Sequence, residues 1–75
     1  MKAYRSINNC VLEGVAKSKA SFLADAINEV PGYSVIEIRF PINKDAYLIL
    51  YTDHTPSEVE VLAEKLEKTI NNNNI

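Results

Sequence analysis

The order of apolar and polar positions predicts two helices with a pair of strands between them. Val59, Leu62, Ala63, Leu66 and Ile70 recur at helical spacing and leave Glu60, Glu64, Glu67 and Lys68 off the stripe. The helix they define opens on Thr55-Pro56-Ser57-Glu58. That is a capping box, with Thr55 as N-cap, Pro56 in the first helical position and Glu58 reaching back. Glu64 and Lys68 add a favourable i,i+4 pair. A second stripe, Ala16, Ala20, Leu23, Ala24, Ile27 and Val30, places a helix within residues 16–29. Pro31-Gly32 ends it, because the residue before proline avoids the helical region and glycine permits the turn. Phe22 projects off the stripe, as a flank cover or a contact residue.

Between the helices the period changes to two. Tyr33 to Phe40 alternates, and Ala46 to Thr52 is apolar on both faces, which predicts a central strand. Pro41 to Asp45 is turn material, so the two strands form a hairpin. Setting Phe40 opposite Ala46 puts 38 against 48 and 36 against 50. Ile36, Ile38, Phe40, Leu48 and Leu50 then share the core face, while Tyr47, Ile49 and Tyr51 join Val35, Glu37 and Arg39 on the other. Upstream, Ser6 to Gly14 reads as one more strand, since Asn8-Asn9 and Gly14 count against a helix. Residues 1–70 form a single domain without linker or internal repeat, and 71–75 read as a frayed polar tail.

The predicted order is therefore β-α-β-β-α, an α+β two-layer sandwich with both helices on one face. The expected sheet has three strands in the order 2-3-1, with the first strand parallel to the central one. This is a ferredoxin-like split arrangement with its fourth strand missing. Cys10-Val11-Leu12-Glu13-Gly14-Val15, followed by Val30-Pro31-Gly32-Tyr33-Ser34-Val35-Ile36-Glu37-Ile38, resembles two families in layout over residues 6–68. One is the heavy-metal-associated domains, the other the small assembly chaperones of periplasmic nitrate reductase. The first family carries Cys-x-x-Cys where strand one meets helix one. Ala16-Lys17-Ser18-Lys19-Ala20 stands there, so the resemblance does not extend to metal transfer. The second implies recognition of a twin-arginine signal peptide through the sheet, and it has a strand after helix two with no counterpart in this sequence.

Composition narrows the chemistry. With 47% hydrophobic and 24% charged residues the chain is globular, yet 75 residues support a core worth only about 3–5 kcal/mol. One cysteine excludes an internal disulfide, and one histidine excludes a standard four-ligand zinc site built by this chain alone. A net charge of -2 argues against a generic polyanion binder. The charge is uneven: residues 1–20 hold four cations against Glu13, and residues 45–75 hold six acids against Lys65 and Lys68. Asn8, Asn9 and Glu13 interrupt any signal-peptide core, and no apolar run approaches the ~20 residues of a membrane span, so the cytoplasm is the expected compartment.

Catalytic candidates are few. His54 precedes the predicted N-cap and reads as a side chain packed over Val59, and Cys10 as a buried small hydrophobe. Gly14 and Gly32 fit no phosphate-loop spacing. No enzyme activity, cofactor or metal is expected. The strongest functional feature is the sheet face away from the helices, expected to carry Tyr33, Val35, Arg39, Tyr47, Ile49 and Tyr51. Such a face, together with an open edge at the first strand, predicts a protein- or peptide-binding domain, with homodimerisation as one form of that binding. Single-stranded nucleic acid is the alternative, because tyrosines on an open sheet can stack bases, although the basic groove it needs is lacking.

Overall fold

A computed structural model describes residues 1–72 of the chain. Four strands and two helices alternate as β1 (Lys2–Ser6), β2 (Asn9–Val15), α1 (Ala20–Asn28), β3 (Tyr33–Arg39), β4 (Ala46–Thr52) and α2 (Pro56–Asn72). All strand pairs are antiparallel, in the order β1-β2-β4-β3. The α+β class and the one-sided helical layer match the sequence reading. The three-stranded sheet does not, because residues 2–15 make a hairpin and supply a fourth strand at the edge beside β2. The expected parallel pairing is also replaced. Helix α1 returns the chain so that β3 runs parallel to β2, and β4 inserts between them, antiparallel to both.

A hairpin followed by a helix thus occurs twice, although the sequence shows no repeat. Each helix packs beneath the outer strand of the other unit: α1 lies against β3 and α2 against β1. The core forms where the two units meet. Leu12, Val15, Leu23, Ile27, Leu48, Leu50 and Val59 are its largest fully buried apolar side chains, with Cys10 among them. The α1 stripe is buried at Ala20, Leu23, Ala24 and Ile27. On α2, Val59 and Ala63 are buried, and Leu66 and Ile70 pack against the core.

Two bulges set which side chains face that core. Between Leu12 and Val15 strand β2 carries one residue more than β4, and Gly14 takes a φ of 75° there. Val15 consequently lands opposite Ala46, both fully buried. In β3 the extra residue is Ile36, since Val35 pairs with Leu50 while Glu37 pairs with Ile49. The expected pairing of 38 with 48 is present, but 36 with 50 is displaced by one. Ile36 leaves the core and is 58% exposed. Phe40 is 52% exposed because pairing with β4 ends at Arg39–Tyr47, so the expected Phe40–Ala46 pair does not form. Helix α2 continues through Asn72, into the stretch read as a frayed tail; residues 73–75 of that stretch lie outside the described residues.

Candidate functional site

The sheet face opposite the helices is assembled from all four strands. Its middle row runs Tyr4, Val11, Ile49, Glu37, following the pairs Tyr4–Val11, Val11–Ile49 and Glu37–Ile49. On one side of this row stand Lys2, Glu13, Tyr47 and Arg39. On the other side Tyr51 stands among Ser6, Asn9 and Ser34. Tyr4 is 43% and Tyr51 62% exposed, while Val11, with the same orientation, is only 8% exposed because its neighbours crowd over it. The result is an apolar and aromatic centre inside a polar rim, the composition of a contact surface.

Hydrogen bonding fixes one charged pair of the face. Arg39 Nε donates to Glu37 Oε2 at 2.6 Å along the same strand face. The Glu37 carboxylate and the Tyr47 phenol together hold the Arg39 guanidinium more firmly protonated than usual. Partial desolvation and then Glu13 push the Tyr4 phenol upward, so Tyr4 is a neutral donor at any physiological pH.

Of the six residues expected on this face, Arg39, Tyr47, Ile49 and Tyr51 are there and Tyr33 and Val35 are not. The bulge at Ile36 turns the first half of β3 over, so Tyr33 and Val35 point to the helices and pack against the core. Clean alternation on either side of the bulge is the signal that locates it: Tyr33-Ser34-Val35, then Glu37-Ile38-Arg39, with Ile36 left over. Tyr4 and Val11 are face residues that the sequence reading missed. The alternation of Lys2 to Ser6 points to Tyr4, but that strand is short, with only Ala3 and Tyr4 apolar or aromatic. The edge expected to lie open beside the first strand is paired along its length by β1.

Tyr33 joins a different cluster, where the α1–β3 turn meets the β4–α2 loop. Its ring stacks on that of His54 with centroids 4.5 Å apart and planes 3° from parallel. His54 Nδ1 lies 3.0 Å from Glu58 Oε2, so the histidine is held between the Tyr33 ring and the Glu58 carboxylate. Gly32 passes beneath at a φ of 91°, and a Cβ there would stand 3.2 Å from His54 Nε2. Buried Thr52 donates from Oγ1 to Gly32 O at 2.6 Å and accepts from His54 N at 3.1 Å. Arg5 spans from β1 to donate to Thr52 O and His54 O at 3.1 and 2.7 Å. The capping box is formed as read, with Glu58 N donating to Thr55 Oγ1 at 3.2 Å and Thr55 N to Glu58 Oε1 at 3.1 Å. The His54 contact and then the Thr55 bonds hold the Glu58 carboxyl below its usual range.

This cluster fastens loops. A shallow groove of about 410 Å³ runs beside it, lined by Tyr33, Ser57, Glu58, Val61, Leu62 and Lys65, and it contains no nucleophile with an oriented base. Cys10 is fully buried and its thiol is pushed up by burial, the reverse of an activated nucleophile. Among the described residues no group of three or more His, Cys, Asp or Glu side chains is placed to hold a metal, and no helix is long and apolar enough to cross a membrane. No protein-family model matches the chain, and no curated protein or solved structure matches it.

Proposed function

We propose that this chain is a small non-catalytic domain that binds a protein or peptide partner through the open face of its sheet. The observation that carries the reading is the contiguous set Tyr4, Val11, Tyr47, Ile49 and Tyr51, drawn from three strands on the side without helices. Tyrosine offers large, stiff contact area with a polar tip, which is why it recurs at interface hot spots. The layout supports a ferredoxin-like reading in which the strand flanking β2 comes from the N-terminal side instead of following α2.

The sheet edges argue for the face as the contact. On β1 the Ala3 N–H is taken by Glu60 Oε2 at 2.7 Å, and on β3 the Val35 N–H is taken by Asn28 Oδ1 at 2.6 Å. An added strand would have to displace these groups, and the bulge at Ile36 bends the same edge. Single-stranded nucleic acid remains the second reading, favoured by three tyrosines on an open sheet. Against it stands the balance of the face, where Lys2 and Arg39 meet Glu13 and Glu37.

The test is a peptide-display selection on the immobilised domain, with a labelled oligonucleotide offered in parallel at low salt. Enriched peptides are expected to bind the wild type with micromolar affinity and to lose at least tenfold with Tyr51→Ala and Tyr47→Ala, while circular dichroism stays native. Peptides indifferent to both substitutions remove the face as the site. Salt-sensitive oligonucleotide binding that requires the same tyrosines moves the assignment to nucleic acid.

A further inference from the structure

We infer that the partner of the open sheet face is a second copy of the same chain, so that two sheets stack face to face with the helices outside; this rests on the binding-face reading above. Charge is the first argument. A two-fold interface sets a surface against itself, so any net charge on that surface is opposed to its like. The strands place Lys2 and Arg39 beside Glu13 and Glu37 on this face, two of each sign, whereas the whole chain carries -2. The face is neutral within a charged molecule.

Polarity and size are the second. The apolar centre lies on the inner strands at Val11 and Ile49, flanked by Tyr4, Tyr47 and Tyr51. A two-fold axis parallel to the strands exchanges β1 with β3 and β2 with β4, which sets Val11 against Ile49 of the other copy. The same operation sets the Tyr4 hydroxyl against the Glu37 carboxylate and Asn9 against Tyr51. Lys2 then meets Arg39 at the rim, in water and beside Glu13 and Glu37, where like-charge repulsion is weak. Four strands about 4.8 Å apart and about six residues long make a footprint of roughly 400 Å². With side-chain relief, a face-to-face pair buries on the order of 1,000 Å² in total, the threshold for a specific interface. A weak dimer follows, with a dissociation constant of about 10–100 µM.

Sedimentation velocity over a concentration series decides it. The wild type is expected to shift from the 8.4 kDa species toward twice that mass as concentration rises to about 500 µM, and to do so equally at high salt. Tyr51→Lys and Tyr4→Glu, both at exposed positions, the second setting like charge against Glu37 of the other copy, should each raise the dissociation constant at least tenfold while thermal melts stay cooperative. Ile42→Lys, 86% exposed in the β3–β4 turn and off the face, should leave it unchanged. A chain monomeric at about 500 µM overturns self-pairing. So does a dimer indifferent to Tyr51→Lys and Tyr4→Glu, or one that dissolves in salt, which would be charge pairing between the basic first and acidic last thirds. If the chain is monomeric yet selected peptides still depend on Tyr51, self-pairing alone falls and the binding face stands.

Discussion

At the scale of single residues, the least expected feature is Ile7. It sits in the two-residue turn between β1 and β2 with a φ of 52°, and its side chain is 92% exposed. A β-branched residue in the left-handed region is strained by about 1–2 kcal/mol, and no burial at this position compensates. Hairpin turns of this length favour glycine at such a place. Ile7→Gly should therefore stabilise the domain by about 0.5–1 kcal/mol after the greater freedom of glycine in the unfolded chain is subtracted. A urea titration checks this: the midpoint should rise with an unchanged slope, and a fall would mean that Ile7 makes a contact in the folded or self-associated state that outweighs its strain. The same residue explains why the hairpin was hard to read. Ile7-Asn8 lacks the Asn-Gly or Asp-Gly signature, so the Ser6–Gly14 stretch reads as one strand and the turn inside it passes unnoticed.

At the scale of elements, legibility tracks how local the determinants are. Strand β4 and the start of α2 fall where the pattern places them, because an apolar run rich in aromatic and branched residues and a complete capping box are local signals. The core face of β3 was misplaced because a bulge is a two-strand property, decided by what β4 buries. Helix α2 also ties the pH response of the fold to one side chain. Glu58 bonds His54, Thr55 N and Thr55 Oγ1, and its carboxyl is held below its ordinary value, first by His54 and then by Thr55. A depressed carboxylate stabilises the fold above its unfolded value near ~4.3, and that contribution is lost as pH falls through the lower folded value. Wild-type stability should consequently be flat with respect to this group above about pH 5 and decline in more acid solution. Glu58→Gln keeps a side chain able to close the capping box and removes the titration. Its thermal midpoint should fall less steeply between about pH 5 and 3 than the wild type's, and parallel curves would place the acid response elsewhere.

At the scale of the whole molecule, the two hairpin–helix units are interdependent, since each helix covers the other unit's outer strand. That crossing leaves two outer strands and one uncovered face, and the molecule treats them differently. The edges are closed by side chains: Glu60 from α2 on Ala3 of β1, and Asn28 from α1 on Val35 of β3. Each cap comes from the helix that packs beneath that edge, so covering the core and guarding the edge are done by the same contact. The face has no such guard and keeps its tyrosines in solvent. If edge closure is what keeps the sheet from extending, opening the edges should cause strand-on-strand growth distinct from face pairing. Glu60→Ala leaves the part-buried Ala3 N–H without its acceptor and should cost about 1–3 kcal/mol, whereas exposed Asn28→Ala should cost less. Both changes are best introduced alongside Tyr51→Lys, which disfavours sheet stacking through the introduced charge. Light scattering during incubation at equal fractions folded should show faster aggregation for Asn28→Ala than for its parent, fastest with both caps removed. Aggregation no faster than the parent's would mean that the bulge at Ile36 and the turns at the sheet ends suffice to protect the edges, and that the Asn28 and Glu60 bonds serve stability alone.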